Sequence, residues 1–151
     1  RLLGYDRRFR DVTVDLALDR NLPAVNGVAD QLTQVLMNLL INAMDATRAQ
    51  EGQSRWVRVV SRPAGAHVEI SVEDNGVGMD ASTARRACEP FFTTKPVGKG
   101  TGLGLSLCES LISAHGGTLR IDSTPGRGTT VSVALPLEVE DDRGRVEVAV
   151  S

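Results

Sequence analysis

The chain has 151 residues, of which 41% are hydrophobic and 24% charged, and this is enough for one globular domain with its own core. A net charge of −2 and an aromatic content of 3% disfavour nucleic-acid binding, because they provide neither a basic excess nor stacking platforms for bases. The two cysteines have no zinc-ligand or disulfide-framework spacing, which is typical of a reducing compartment, and no apolar run approaches the length of a membrane-spanning helix.

The first half of the chain predicts a strand, a long helix and a hairpin. Residues 12–18 (VTVDLAL) alternate apolar with polar or small side chains, as a strand does. Residues 30–50 repeat apolar side chains at helical spacing. Residues 56–61 (WVRVVS) and 67–73 (HVEISVE) predict two strands, and the turn-forming RPAGA between them predicts a hairpin.

The second half of the chain predicts two helices, a loop between them and a second hairpin. In chain order these are a short helix at 80–88, a mobile loop at 89–102, a helix at 103–115 and strands at 118–123 and 129–135. The pair Gly116-Gly117 marks the end of the second helix, and PGRG supplies the hairpin turn. Strands and helices mix without a regular β-α-β alternation, so the predicted fold class is α+β.

The two ends of the chain predict no core elements. Residues 1–11 read as a connecting segment and residues 12–137 as the globular domain. Residues 138–151 begin acidic and end in RVEVAVS, whose valines alternate with polar or small residues. Two interpretations of this tail stay open, a small edge strand or a linker.

Polar side chains form a stripe beside the apolar face of the long helix. At about 100° per residue, Asn38, Asn42 and Asp45 fall on this stripe. Asparagine is a mediocre helix former, so two in a helix interior need a reason. Solvent exposure and a hydrogen bond to a neighbouring element are two explanations. A third is that the amide oxygen binds Mg²⁺, which takes its other ligands from water and substrate phosphates.

The segment DNGVGM directly follows the strand at 67–73. Asp74 stands at the strand end, and Gly76 and Gly78 leave backbone that a planar ligand could approach closely. A carboxylate only accepts hydrogen bonds, so its natural partner is an exocyclic amine such as that of adenine. The alternative is a plain Asx turn.

The glycine-rich segment GKGTGLGLS, residues 98–106, fits neither of two common phosphate loops. Thr93 stands where the P-loop needs its first glycine, and leucines stand where the dinucleotide pattern needs its third. The segment is then either a flexible linker or backbone that lets a phosphate come close.

Four segments together resemble a known family. They are NLLINAMDA (38–46), DNGVGM (74–79), EPFFTTK (89–95) and GKGTGLGLS (98–106). In this order they resemble the N, G1, F and G2 boxes of the catalytic ATP-binding domain of sensor histidine kinases. This domain belongs to the GHKL superfamily, shared with DNA gyrase, mismatch-repair and heat-shock chaperone ATPases. The resemblance covers residues 12–137 and implies the Bergerat fold, a two-layer α/β sandwich whose mainly antiparallel sheet is covered on one face by helices.

The resemblance implies an adenine site around Asp74. This carboxylate would accept a hydrogen bond from the adenine amine, while Gly76 and Gly78 allow close packing. Thr129, in the last predicted strand, would support Asp74.

The resemblance also implies that ATP is bound together with Mg²⁺. Asn42 would be the metal ligand, with Asn38 one turn earlier near the metal or the phosphates. The glycine-rich segment would be the hinge and floor of a lid over the nucleotide, offering backbone N–H groups at a helix start. Its nucleotide-binding residues would be Gly100, Thr101, Gly102, Leu103, Gly104 and Leu105.

One position departs from the family pattern. Many histidine kinases carry a lysine or arginine three residues after the metal-binding asparagine, whereas this chain has Asp45 at that place in the nucleotide site. The resemblance then assigns the positive charge to Lys95 or Lys99, and a solvated loop lysine is the alternative. Phe91 and Phe92 would anchor the lid or contact a partner domain, with core filling as the alternative.

The residue one helical turn before the metal-binding asparagine distinguishes kinases from hydrolases in this superfamily. The ATP-hydrolysing relatives carry a glutamate one turn before the metal-binding asparagine, where a carboxylate can activate water. This chain has Asn38 there, and an amide cannot accept a proton at neutral pH. The γ-phosphoryl group is then available to another nucleophile, with Asn38 and Lys95 as the implied catalytic residues.

The family chemistry implies partners outside this chain. His67 and His115 lack the acidic neighbour of a phosphoacceptor, so we expect that histidine on a separate dimerisation domain of the same kinase. The phosphoryl group would pass on to the receiver domain of a response regulator. We expect a cytoplasmic domain without membrane or nucleic-acid contact, whether or not the parent protein is anchored in the inner membrane. Two alternatives stay open: another superfamily member, such as an anti-sigma serine kinase or an ATPase clamp, and a non-catalytic interaction domain.

Overall fold

The structure is a computed structural model, and it describes residues 12–50, 52, 54–90 and 104–138. Within these residues five strands form one sheet in the order β1-β2-β3-β5-β4. The first pair is parallel and the other three are antiparallel. The strands are β1 (Val12–Leu18), β2 (Arg55–Ala64), β3 (His67–Asp74), β4 (Thr118–Thr124) and β5 (Gly128–Pro136), and the helices are α1 (Ala29–Arg48), α2 (Ala81–Arg86) and α3 (Gly104–Ala114).

One hydrophobic core lies between the sheet and the helices. In β3 the buried Val68, Ile70 and Val72 alternate with the more exposed Glu69 and Glu73, so only one face of this strand is apolar. The long helix α1 packs against β2, β3 and β5, and α3 packs against α1 and β4. The helices thus cover one face of the sheet, which confirms the predicted α+β, two-layer class. The residues that fill the core from the helices are Leu32, Val35, Leu39, Ala43, Met44, Cys108 and Ile112.

The predicted first hairpin is present, but its turn is shorter than predicted. The strand β2 continues to Ala64, so only two residues separate it from β3. Pro63 is paired with Val68 inside the strand. This proline is tolerated because β1 ends at Leu18, opposite Ser61, which leaves the last residues of β2 at the edge of the sheet.

The two later helices also differ from their predicted bounds. The short helix begins after Asp80, whose carboxylate accepts a hydrogen bond from the backbone N–H of Thr83 at 2.8 Å, and ends at Arg86 rather than at residue 88. The helix α3 ends at Ala114, and Gly116 has a φ of 75°, as the helix-end signal predicted. Most of the predicted mobile loop, from residue 91 onwards, lies outside the described residues.

The end of β5 is joined to the segment between β1 and α1. Leu137 forms an antiparallel bridge with Val25, and the N–H of Glu138 donates to the carbonyl of Ala24 at 2.9 Å. The helices of the described residues include none that is long and apolar enough to cross a membrane.

Candidate functional site

Asp74 ends β3 on the buried face of the sheet, and only 7% of the residue is exposed. Its carboxylate accepts a hydrogen bond from the N–H of Gly76 at 2.8 Å and another from the N–H of Thr129. Burial raises the pKa of Asp74 from 3.8 to about 6, although the two hydrogen bonds lower it. The site therefore contains an acceptor that is ionised at neutral pH and largely shielded from water.

The loop after Asp74 is fixed by backbone contacts with α1 and with the β4–β5 hairpin. The N–H of Val77 donates to the carbonyl of Ala46 at 3.3 Å, and the carbonyl of Val77 accepts from Gly126 at 2.8 Å. The N–H of Met79 donates to the Ser123 hydroxyl at 2.7 Å. Because these bonds come from two other parts of the chain, the loop is held in one place by the tertiary structure.

The glycines of this loop have a structural role in addition to the predicted one, which was to let a ligand approach the backbone. A Cβ on Gly76 would lie 2.5 Å from the carbonyl of Ala46. Gly78 has a φ of 68°, and a Cβ there would overlap the carbonyl oxygen of Thr124. Both glycines thus let the loop pack against the protein's own backbone. This packing is a sufficient reason for a glycine at each position, whether or not a ligand is bound.

Thr129 lies directly opposite Asp74 in the β3–β5 pair. Its backbone N–H supports the carboxylate, whereas its hydroxyl is 2.7 Å from the hydroxyl of Ser123. Ser123 also donates to the carbonyl of Gly128 at 3.1 Å and accepts from the N–H of Met79. Sequence reasoning missed Ser123, since a serine near the end of a strand carries no signal of its partners.

The other side of the site is formed where α1 meets the start of α3. A Cβ on Gly104, the first residue of α3, would lie 3.5 Å from the amide nitrogen of Asn42. Leu105 is partly buried against the core. The first N–H groups of a helix have no acceptor within it, and the helix dipole makes this end attractive to anions. An uncharged amide therefore lies beside backbone that favours an anion.

Asn38 contacts the protein rather than being directed only to solvent. Burial raises the pKa of the Cys108 thiol to about 11, while a hydrogen bond from the side chain of Asn38 lowers it. This contact agrees with one of the explanations given for a helical asparagine, a bond to a neighbouring element. The thiol was another residue that sequence reasoning did not connect to the site.

The helix α1 joins the two sides of the site. Asn42 faces α3, the half-buried Asp45 follows nearly one turn later, and the carbonyl of Ala46 lies under the loop after Asp74. The structure thus brings together Asn42, Gly104 and the Asp74 loop, which are far apart in sequence. The remaining predicted residues lie outside the described part of the chain: Phe91, Phe92, Lys95, Lys99, Gly100, Thr101, Gly102 and Leu103.

Comparison with protein families matches residues 27–139 to the model described as "Histidine kinase-, DNA gyrase B-, and HSP90-like ATPase". The chain belongs to this family. Within the family, the chain is similar to the sensor histidine kinase ZraS of Escherichia coli K12, with 36% identity over 138 residues. These residues cover 91% of this chain and 28% of ZraS. It is 42% identical over 129 residues to the histidine-protein kinase AtoS of the same organism, covering 83% of this chain and 20% of AtoS. The chain spans less than a third of either relative.

Solved structures of the family have the same fold. The catalytic domain of the histidine kinase ThkA matches with a TM-score of 0.75 and 28% identity, covering 90% of this chain and 86% of that one. Full-length ShkA in complex with AMPPNP matches with a TM-score of 0.75 and 26% identity, covering 88% of this chain and 27% of ShkA. These relatives favour the histidine kinase branch of the family over the serine kinase and clamp alternatives.

Proposed function

We propose that this domain binds ATP with Mg²⁺ and acts as the catalytic ATP-binding domain of a sensor histidine kinase. It would donate the γ-phosphoryl group to a histidine on a separate dimerisation domain, to which residues 1–11 connect it. The observation that carries the proposal is Asp74, a buried carboxylate held by two backbone N–H groups at the start of a loop that contacts α1. Its remaining acceptor capacity suits the exocyclic amine of adenine.

Asn42 and the start of α3 suit the phosphate end of the nucleotide. Mg²⁺ commonly takes one or two oxygens from the protein and the rest from phosphates and water, so the amide oxygen of Asn42 is a suitable ligand. The metal would neutralise phosphate charge there. The N–H groups that begin at Gly104 and Leu105 would bind phosphate oxygens, continuing the backbone donors proposed at Gly100, Thr101, Gly102 and Leu103.

The chemistry proposed for the site is phosphoryl transfer without an internal base. Asn38 carries an amide that cannot remove a proton from water, and it is hydrogen-bonded to Cys108. Catalysis would come from positioning and charge neutralisation, with Lys95 or Lys99 as the cation and Asp45 at the edge of the nucleotide site. The histidine and then a response regulator receiver domain would accept the phosphoryl group in the cytoplasm, where ATP is available.

The first test is calorimetric titration of AMPPNP, with and without Mg²⁺, into the unmodified domain and into Asp74→Asn. Loss of a charge-assisted hydrogen bond should weaken binding by roughly 10- to 100-fold. Asp30→Asn is the matched control, because Asp30 is an exposed carboxylate in the first turn of α1, about four turns before the Ala46 carbonyl that contacts the Asp74 loop. The affinity of this variant should stay unchanged. The proposal would be contradicted if the folded, unmodified domain bound no nucleotide. It would also be contradicted if Asp74→Asn bound AMPPNP with unchanged affinity.

The second test separates the kinase from its alternatives. The domain is mixed with the dimerisation domain of its parent protein and labelled ATP, and the chemical stability of the product is measured. Acid-labile, base-stable phosphate on a histidine supports the proposal. Labelled serine would favour a serine kinase, and release of free phosphate without labelled protein would favour an ATPase clamp.

A further inference from the structure

The strand β1 exposes apolar side chains on the face of the sheet that the helices cover elsewhere. Val14, Leu16 and Leu18 are 40%, 55% and 39% exposed. Val14 and Leu16 pair with Val57 and Val59, which are buried, so the exposed residues share the inner face. Because α1 packs over β2, β3 and β5, β1 lies beyond its main contacts. This row of three side chains is called the β1 stripe below.

The β1 stripe lies on an edge strand. One edge of β1 pairs with β2, and among the described residues no strand pairs with the other edge. Proteins commonly protect such edges with charges, but the only charged residue of β1, Asp15, lies on the opposite face and is 3.7 Å from Arg58. The edge thus combines backbone groups to which no described strand is bonded with an apolar face, and an added strand needs both.

We propose that residues 145–151 (RVEVAVS) of this chain pair with the outer edge of β1 as an antiparallel strand. The segment has seven residues, as β1 does, and its valines alternate as an added strand with one apolar face requires. This assigns the tail to the first of its two interpretations, an edge strand. The proposal is independent of the nucleotide site.

The chain leaves the sheet at a place from which this segment can reach β1. Glu138 is bonded to Ala24, and six residues, 19–24, connect that place to the end of β1. Residues 139–144 are also six, so they can span the same distance back to β1. They would reach the C-terminal end of β1 first. A segment that arrives at this end runs antiparallel to β1.

Charge and burial select one register. With Val148 opposite Leu16, the other two valines lie opposite the rest of the β1 stripe, and Glu147 and Ala149 lie opposite Ala17 and Asp15. A slip by one residue would place Glu147 opposite an apolar side chain of the β1 stripe. A slip by two residues, in either direction, would place Glu147 opposite Asp15 or Asp19, and like charges in direct pairs are destabilising. In the selected register Asp19 instead lies opposite Arg145.

A disulfide tests this register in the full 151-residue chain. Paired Cα atoms in an antiparallel sheet are about 4.5–5.5 Å apart, within the range that a disulfide spans. We expect Leu16→Cys with Val148→Cys to form an intrachain disulfide at least about tenfold faster than Leu16→Cys with Glu147→Cys, because the control thiol faces the other side of the sheet. Peptide mapping distinguishes these bonds from any at Cys88 or Cys108.

Three results would overturn the proposal. Equal rates for the two cysteine pairs would mean that the tail has no fixed register. An absence of both bonds would mean that it does not reach β1. A disulfide that joins the cysteines at position 16 of two chains would assign the edge to a second copy of this chain. In that arrangement two β1 strands would pair antiparallel, with the symmetry axis at Leu16.

Hydrogen exchange of the β1 amides provides a second measurement without engineered cysteines. Val148→Lys places a charge against the β1 stripe, and we expect exchange in β1 to become roughly tenfold faster than in the unmodified chain. Ala149→Lys is the matched control, because its new side chain faces Asp15, and exchange should stay within about twofold of the unmodified rate. Equal exchange in all three proteins would contradict the proposal.

Discussion

The two sides of the candidate site are fixed to different degrees. On one side, Asp74 is buried and its loop is bonded to α1 and to the β4–β5 hairpin. On the other side, the half-buried amide of Asn42 faces the start of α3, and its nitrogen lies 3.5 Å from where a Cβ on Gly104 would be. The first arrangement suits a rigid group such as a purine ring. The second suits phosphates and a metal, which bring part of their own coordination.

The largest expected effect concerns the backbone behind Asp74. Gly128 has a φ of 104°, and a Cβ there would overlap the carbonyl oxygen of Asp74, so Gly128→Ala should lower the free energy of unfolding by more than about 3 kcal/mol. Gly126→Ala is the control, because its φ is 76° but its Cβ would meet no atom within 4 Å; about 1 kcal/mol is expected. Urea unfolding of both variants measures this, and equal losses would mean that the Asp74 side is not rigid.

The second prediction uses the pKa of Asp74. Burial raises this pKa from 3.8 to about 6, so the folded protein binds the proton more tightly than the unfolded chain. Stability contributed by protonation therefore grows as pH falls from about 7 to 4 and is lost as pH rises through about 6. Compared with Asp74→Asn, the unmodified domain should gain on the order of 2–3 kcal/mol of unfolding free energy over this range.

Asp80→Asn is the control for the pH measurement. The Thr83 hydrogen bonds lower the pKa of the exposed Asp80 below 3.8, so its stabilising contribution is present above that pH and is lost only in more acidic solution. Denaturant unfolding at pH 7 and pH 5 should separate the two carboxylates. A pH dependence that Asp74→Asn leaves unchanged would contradict the assignment to Asp74.

The third prediction separates Ser123 from Thr129. Ser123→Ala leaves the N–H of Met79 and the carbonyl of Gly128 without their partner, which should cost about 1–3 kcal/mol of stability. Thr129→Val removes only a hydroxyl and keeps the backbone N–H that supports Asp74, so about 1 kcal/mol or less is expected. Thermal unfolding gives the comparison, and an equal or larger loss in Thr129→Val would reverse this ranking.

The smallest predicted effect tests the metal side of the site. Asn42→Ala should weaken Mg²⁺-dependent binding of AMPPNP by about tenfold, or about 1.4 kcal/mol, and change binding without Mg²⁺ much less. Gln34→Ala removes an amide from the exposed face of the same helix and serves as the control. Titrations with and without Mg²⁺ provide the measurement. Equal losses in both conditions would place Asn42 in contact with the nucleotide rather than with the metal.

The sequence predicted the type and order of every described helix and strand, because each has a local periodicity or a turn signal of its own. The bounds of β1 were predicted as they are, whereas β2 and α2 differed, since the edge position of Pro63 and the start of α2 at Asp80 depend on neighbouring structure. For the site, the motifs pointed to Asp74 and Asn42 but not to Ser123 or Cys108. Their contacts come from segments far away in the chain.

The sequence by itself determined the elements, the family and the chemical character of the motif residues. The tertiary structure alone decided that β5 lies between β3 and β4, which places Thr129 opposite Asp74, and that β1 lies at one edge of the sheet that the described strands form. It also decided that Gly76 and Gly78 pack against protein backbone. The physical reason is that periodicity reports which face of an element is apolar, whereas strand order and close backbone approach depend on contacts between residues distant in sequence.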